Sequence, residues 1–379
     1  GAAVCQLQRD QPTDGKAHHQ CIDQYGKHDT QHQSNRGVEI LPVERPLAQA
    51  SKQRPYQASH HDKQGEGGQD HQAEVDRRLA ENGNYVMDWQ ENYGGSIVKP
   101  RGVLEGVQLG LGDIGIVTTI FHSSKLPSQG IAGSTPFVAS DARAIATAVD
   151  ELAREFPAMN NEFNAQNQVY LATGVVLDSY QMFCTNPVAS ISDLEGAKVA
   201  GAGLNLRYLE GIEGAAGVRG GLTDFYNMLQ TGLVDCGMLW PEAAKTFKIA
   251  EVAPYMLKAD LGAVNSKTVT VNKDVWNKLP DDVKAVLQKV AVEYRDHIAS
   301  VAMDRASASL DAYKKGGGTV VELPAEAREA WAKSMPNIAA DWAKKLDGAG
   351  APGSDMLKAY VGKLKDAGMT PVRDWAAEL

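Results

Sequence analysis

Two stretches, 107-VQLGLGDIG-115 and 229-LQTGLVDCG-237, share one pattern: apolar, Gln, any residue, Gly, Leu, any residue, Asp, any residue, Gly. The first contains a literal G-x-G-x-x-G. In a dinucleotide site that motif follows a strand and opens a helix, so that the pyrophosphate meets the helix N-terminus. Here the order is reversed. Val103, Leu104, Val107 and Leu111 follow helical spacing upstream, and the β-branched, uncharged run IGIVTTIF downstream suits a buried strand. Gly110 then reads as the residue just past a helix, free to take the left-handed conformation. The second stretch has Val234 where the first has Gly112, so the nucleotide fingerprint is not what recurs. A helix, a Gly stop, an Asp at the turn and a strand recur, offset by 122 residues (229 minus 107), about one domain. The pattern predicts two similar α/β lobes.

Length and charge agree with that reading. A chain of 379 residues has room for two domains. A net charge of −9 offers no basic field to replace phosphate counterions, which argues against nucleic acid. No apolar run approaches the ~18 residues of a membrane span. The four cysteines, at 5, 21, 184 and 236, have neither CxxC nor zinc spacing. Cys184 and Cys236 can bridge only if their strands are neighbours, and two buried free thiols are the expectation.

Residues 1–80 read differently from the rest. They hold seven of the nine histidines and thirteen glutamines, with no Phe, Trp or Met. Such composition cannot bury enough surface to offset chain entropy, so a disordered or non-native segment is expected there. His18-His19, His60-His61 and His28/His32 invite a metal reading, but without cysteines at ligand spacing no metal site is expected. The text becomes that of a globular protein between about Gln69 and Asn82.

From Tyr85 onward, strands and helices alternate. YVMDW is strand-like, DARAIATAVDELAREF is an amphipathic helix opened by Asp141, and QVYLATGVVLDSYQMFCT is a long extended run. AKVAGAG is a short strand and LNLRYLEGIEG starts a helix. After NSKTVTVN, a long helix starts at Pro280 and stops at Gly316-Gly317-Gly318. Alternation of this kind predicts α/β layers with largely parallel sheets. The extended segments 168–185 and 264–274 would cross between the lobes and make a hinge beside a ligand cleft.

NGNYVMDWQENYGGSIVKPRGVLEGVQLGLGDIG, PVASISDLEGAKVAGAG, FYNMLQTGLVDCGMLWPEAAK and EVAPYMLKADLGA resemble the extracytoplasmic solute-binding subunit of tripartite ATP-independent periplasmic (TRAP) transporters, the DctP-like family. AWAKSMPNIAADWAKKLD and GMTPVRDWAAEL also fit, so the resemblance runs from about Asn82 to the C-terminus. It implies a hinged, Venus-flytrap-like periplasmic solute-binding fold. The expected parts are a first lobe of 82–178 plus 264–300, a second lobe of 179–263, a bridging helix over 280–316, and C-terminal helices in 324–379 packing across the lobes. It further implies a periplasmic receptor that captures a small organic acid and delivers it to a membrane permease, without a cofactor and without spanning the membrane itself.

Two departures stand out. Nothing before residue 80 matches the family's first β-strand, so the first lobe is expected to lack it. Where many members read DLKGLKIR, this chain has DLEGAKVA, with Ala200 in place of the substrate-gripping arginine. The second arginine of the crossing strand is likewise absent, and SYQMFCTNPV offers Tyr180 and Gln181 instead. An anion would then meet the small-residue turn AGAG and Asn205, supplemented by Arg207. Tyr180, Tyr208, Tyr226 and Trp240 would supply aromatic walls. In the first lobe Trp89, Tyr93 and Thr118 hold corresponding positions at strand ends. His122 reads as a satisfied surface histidine and His297 as a packing residue. No G-x-S-x-G, H-E-x-x-H or P-loop is present, so no catalytic residue is assigned. A periplasmic ligand sensor of the same fold and an α/β enzyme built on Asp178 and Glu242 are the alternatives.

Overall fold

Each repeated stretch closes a short helix and feeds a strand, and the two strands lie in different sheets. The computed structural model describes residues 4–7, 41–42, 66–83, 85–93 and 95–379. The histidine pairs at 18–19, 60–61 and 28/32 lie outside the described residues. The first sheet has the order β4 (Trp89–Asn92), β1 (Val4–Leu7), β5 (Ile114–Val117), β12 (Val264–Asn272), β6 (Gln168–Leu177). The second has the order β13 (Thr319–Glu322), β11 (Tyr255–Lys258), β7 (Gln181–Cys184), β10 (Cys236–Leu239), β8 (Lys198–Gly201), β9 (Ala216–Arg219). A small ribbon joins β2 (Leu41–Pro42) to β3 (Tyr85–Val86).

Helices cover the sheets. They are α1 (Glu66–Asn82), α2 (Val103–Gln108), α3 (Ala142–Glu155), α4 (Pro157–Asn164), α5 (Phe225–Gln230), α6 (Pro241–Thr246), α7 (Lys273–Trp276), α8 (Asp281–Lys315), α9 (Ala325–Ser334), α10 (Ile338–Gly348) and α11 (Gly353–Asp366). α2 ends at Gly110, whose φ of +74° is left-handed. There Gly110 N donates to Val107 O at 3.1 Å and Leu111 N to Gly106 O at 2.8 Å, which satisfies two carbonyls the helix leaves open. α5 ends in the same way at Gly232, with φ of +69° and a bond from its N–H to Leu229 O at 3.1 Å. The later glycine of each pattern lies beneath its helix. A Cβ on Gly115 would fall 2.5 Å from Val107 Cγ2, and one on Gly237 would fall 3.4 Å from Phe225 Cδ2.

The structure corrects three expectations. Sheets were expected to be largely parallel, yet every pairing in the first sheet is antiparallel. The cause is β12, which returns between β5 and β6 against the direction of both. The second sheet is mixed: β8 is parallel to β9 and β10, β11 is parallel to β13, and β7 is antiparallel to both its neighbours. Cys184 and Cys236 are not free thiols but a disulfide, because β7 and β10 are adjacent in the register that sets these two residues opposite each other. Finally, the place beside β5 that was expected to be empty is taken by Val4–Leu7, paired with Val4 opposite Gly115 and Cys5 opposite Ile114.

The segment 1–80 also supplies α1. Its few apolar residues, Val75 and Leu79, are fully buried against α8, and His71 packs edge-on to Tyr294 at 5.5 Å. α8 has 35 residues, a length of about 52 Å at 1.5 Å per residue. Its first half buries Val283, Leu287, Val290 and Tyr294 in the core of the first lobe. Buried Arg295 pairs there with Asp150 at 2.8 Å, and Asp150 also accepts from Tyr170 and from Thr173 N. Its last turns reach the other lobe, where Tyr313 donates to Ala253 O at 2.8 Å and stacks edge-on to Phe183. Three tryptophans of the C-terminal segment also bond to backbone in both halves: Trp331 to Tyr208 O, Trp342 to Pro127 O and Trp375 to Pro136 O. No described helix is long and apolar enough to cross a membrane.

Candidate functional site

Two extended segments pass from one sheet to the other, 177–181 outward and 258–264 back. They run side by side. Val264 lies opposite Leu177, Tyr180 N donates to Gly262 O at 3.1 Å, and Leu261 N donates to Tyr180 O at 3.0 Å. The return segment is sharply kinked, since Asp260 has φ of +47° and Gly262 φ of +119°. Asp260 is a strained position for a residue with a side chain. Gln181 holds it there with both ends of its amide: Nε2 donates to Asp260 Oδ1 at 2.7 Å, and Asp260 N donates to Gln181 Oε1 at 2.8 Å. Gln181 is therefore occupied in shaping the crossing and has no free amide end for a ligand.

Beside the crossing stand Tyr180 and Trp240, edge to face at 5.5 Å. The pairing of β7 with β10 sets Leu239 opposite Gln181, which brings the next residue, Trp240, to Tyr180. Trp240 is half-buried at the start of α6, where Pro241 fixes the turn. Neither the Tyr180 hydroxyl nor the Trp240 indole N–H has a hydrogen-bond partner among the described residues, although both are polar tips on apolar rings. Asp178, also half-buried, lies close by. Burial, then the charges of Asp260 and Glu242, raises its carboxyl pKa to about 6. Glu242 itself faces Arg305 at 3.7 Å.

The first sheet presents its own end to the same junction. Thr268 opposite Val117 is the last rung of the β5–β12 ladder, so Lys267 and Thr118 are the residues just past it on the two chains. The Thr118 hydroxyl is buried without a partner, and so are Thr119 Oγ1, His122 Nε2, Gln129 Nε2 and Asn265 Oδ1. Asn265 Nδ2 reaches Gln129 O at 3.0 Å, and Thr268 Oγ1 reaches Gln129 Oε1 at 3.3 Å. The unpartnered groups thus gather where β5 ends and β12 begins. His122 is buried rather than on the surface, and burial lowers its pKa. His297, expected to pack, is exposed, because Tyr294 and Ile298 carry the inner stripe of α8 past it.

The other sequence candidates have structural duties. Asn205 is buried and accepts from Ala202 N at 3.0 Å, capping a 3-10 turn over Gly203–Gly211 where a helix was expected. Arg207 is bound by Glu210 at 2.9 Å and Asp341 at 2.9 Å. Tyr208 is fully buried and donates to Gly133 O at 2.8 Å. Tyr226 donates to Glu251 at 3.0 Å and Trp89 to Asp76 at 2.8 Å, while Tyr93 is half-buried after β4. A cavity of about 210 Å³ lies between loop 123–134, the turn 203–211 and α10, lined in part by Leu204, Arg207, Trp342 and Lys345. It is smaller than the ~300 Å³ at which ligand sites begin, and its arginine is already paired, so the junction is the better candidate.

Sequence reasoning missed Lys267. It interrupts VNSKTVTVN, the strand's one charge, and a lysine in a strand ordinarily reads as a solvent-facing residue. Among the described residues no group of His, Cys, Asp and Glu is placed to hold a metal.

The profile described as bacterial extracellular solute-binding protein, family 7 (DctP) matches residues 58–345. A curated relative, the C4-dicarboxylate-binding periplasmic protein DctP of Rhodobacter capsulatus, is 32% identical over 125 residues, 33% of this chain. The chain spans only 37% of that relative's length in the match. Among solved structures, a TRAP periplasmic solute-binding protein from Desulfovibrio salexigens is 23% identical with a TM-score of 0.68, covering 79% of this chain and 90% of its own. DctP7, a Bordetella pertussis extracytoplasmic solute receptor that binds pyroglutamic acid, is 20% identical with a TM-score of 0.65, covering 80% and 96%. At these identities the solved structures establish the two-lobed α/β fold.

Proposed function

Because the chain belongs to the DctP family of bacterial extracellular solute-binding proteins, we propose that it is the substrate-capturing subunit of a TRAP transporter. It would bind a small organic acid between its lobes in the periplasm and deliver it to the membrane permease subunits. The family and the fold are those of solute-binding receptors. The observation that carries the reading is the junction: two laced extended segments join separate sheets, and the polar tips of Tyr180, Trp240 and Lys267 come to it without partners among the described residues. The Cys184–Cys236 disulfide suits an oxidising compartment such as the periplasm. In this reading the first lobe is 82–178 plus 264–300 and the second 179–263, bridged by 280–316 and covered by helices of 324–379, while Thr319–Glu322 adds a strand to the second sheet.

Mechanistically, the ligand favours the closed arrangement by the difference in its affinity for the closed and open states. Tyr180 and Trp240 meet its apolar body from the second lobe, and Thr118 meets its polar end from the first. Half-buried Asp178, with its pKa raised to about 6, is ionised near neutrality and becomes a neutral acid able to donate a hydrogen bond only as pH falls below that value.

Melting the protein with pyroglutamate, succinate and glucuronate tests this. An acid at a hundred times its Kd stabilises the folded state by ~2.7 kcal/mol, and the compound is recovered unchanged. Turnover of a bound acid would overturn the receptor reading. Absence of a shift with every acid would overturn the organic-acid reading.

A further inference from the structure

We propose that Lys267 is the anion anchor of the cleft: its ammonium, with the Thr118 hydroxyl just past the last rung of β5 and β12, holds the ligand's carboxylate. The assignment rests on the receptor reading above and adds the residue that replaces the absent arginines. Three observations carry it.

The first is charge without a counter-charge. Lys267 is half-buried, yet its Nζ has no hydrogen bond or ion pair among the described residues. A partly desolvated charge is costly unless paired. Burial is what depresses its pKa, and no charged neighbour contributes. The other cations around the crossing are engaged: Arg207 by Glu210 and Asp341, Lys258 by Asp260 and Glu322, and Arg328 by the carbonyls of Ala259 and Asp260. A ligand carboxylate is the partner that Lys267 lacks.

The second is place. Lys267 lies at an irregularity of β12, opposite Val175 on β6, with register shifts on both sides of it. Such a bulge re-aims a side chain and is common beside functional sites. The β5–β12 ladder ends with Thr268 opposite Val117, and Lys267 and Thr118 follow it on the side of the junction. The Thr118 hydroxyl is buried and has no partner either. Two donors, ammonium and hydroxyl, thus stand at the same end of the β5–β12 ladder.

The third is the company the pair keeps. Ile116 and Val175, next to it on β5 and β6, are half-buried apolar residues, and the other lobe brings the Tyr180–Trp240 ring pair. The arrangement suits a compact acid with its carboxylate toward the first lobe and an apolar or ring-shaped body toward the second. It does not suit a second carboxylate at the far end, where Asp260 and Glu242 stand close enough to act on Asp178.

The test is calorimetric titration of wild type, Lys267→Met, Lys267→Arg and Arg207→Met with pyroglutamate, succinate and glucuronate. The acid that binds wild type should bind Lys267→Met about tenfold to a hundredfold more weakly, the range expected for one charged hydrogen bond. Lys267→Arg should recover part of the loss, and Arg207→Met should bind as wild type does. Methionine keeps the length of the side chain and removes an unpaired charge, so unliganded Lys267→Met should melt no lower than wild type. If it does unfold, Lys267→Gln serves in its place. Wild-type affinity in the Lys267 variants would overturn the anchor and leave the receptor reading intact. Lost affinity in Arg207→Met instead would move the anchor to the turn 203–211 and overturn it equally. If no acid binds wild type, the receptor reading fails and takes the anchor with it.

Discussion

In the first lobe, the turn at Gly110 is fastened by a neighbouring strand. Asn272 Nδ2 donates to Val107 O at 2.8 Å, and Asn272 N donates to Asp113 O at 2.8 Å. In the second lobe the matching turn at Gly232 is fastened differently. Asp235 Oδ2 accepts from Lys198 N at 2.8 Å, and the strand that follows is bonded covalently to its neighbour through Cys236 and Cys184. The later glycine differs too. Gly115 lies under Val107 and Val103 with no room for a Cβ, while Gly237 has room within a few tenths of an ångström. One local text therefore builds the same turn twice, and each lobe closes around it with its own means. Local sequence sets the turn's shape; neighbouring elements set its strength.

Removing the disulfide breaks the comparison most sharply. Cys184 and Cys236 are 52 residues apart in sequence, and a crosslink of that span typically contributes ~2–4 kcal/mol. Changing both to Ala should lower stability by about that amount, and hydrogen exchange should accelerate in β7, β8 and β10 before β5 and β12. Equal acceleration in both sheets would show that the lobes do not differ in this way. Reductant should reproduce the effect on wild type.

A smaller effect is expected at the glycines. Gly115→Ala would drive a methyl against Val107 Cγ2 at 2.5 Å and Val103 Cγ1 at 3.1 Å, in a fully buried site. Overpacking of that kind costs about 1–3 kcal/mol. Gly237→Ala meets its nearest atom, Leu239 Cδ2, at 3.2 Å and should cost less. Denaturant midpoints of the two variants settle the order, and a larger loss at Gly237 would reverse the reading of the two turns.

The smallest effect concerns Asp178, between the lobes. Its pKa is raised from 3.8 to about 6, first by burial and then by Asp260 and Glu242. The folded state then binds the proton more tightly than the unfolded one. The stability from this group is present below pH about 4 and is lost as pH rises through about 6. Asp178→Asn should flatten that part of the melting profile and raise stability near neutrality. A slope unchanged between pH 4 and 7 would count against it.

Much of the fold was legible because helix and strand periods are local. The Gly stops, the long helix ended by Gly316, and the two crossing segments all follow from spacing that a short window contains. What was not legible depends on register. Cys184 faces Cys236 only because β7 and β10 pair in one particular offset. α1 escaped notice because Val75 and Leu79 are two apolar residues in a polar helix, and their burial is decided by α8. The site divided in the same way. Tyr180 and Trp240 were marked by their place at strand ends, and the fold brings them together. Asn205, Arg207 and Tyr208 carried equally inviting chemistry but were claimed by a local cap, ion pairs and a hydrogen bond to the Gly133 carbonyl. Lys267 looked ordinary because only the assembled sheet takes away its counter-charge.

The lacing of the two crossing segments limits how the halves can travel. A pair of bonded strands behaves like a leather strap: it folds easily across its width and resists wringing, since torsion would pull Tyr180 from Gly262 and Leu261 from Tyr180. In the proposed receptor the strap would favour nodding about a single axis. A guest seated on one jaw would then meet the other along one repeatable arc, the bite aimed before anything is caught.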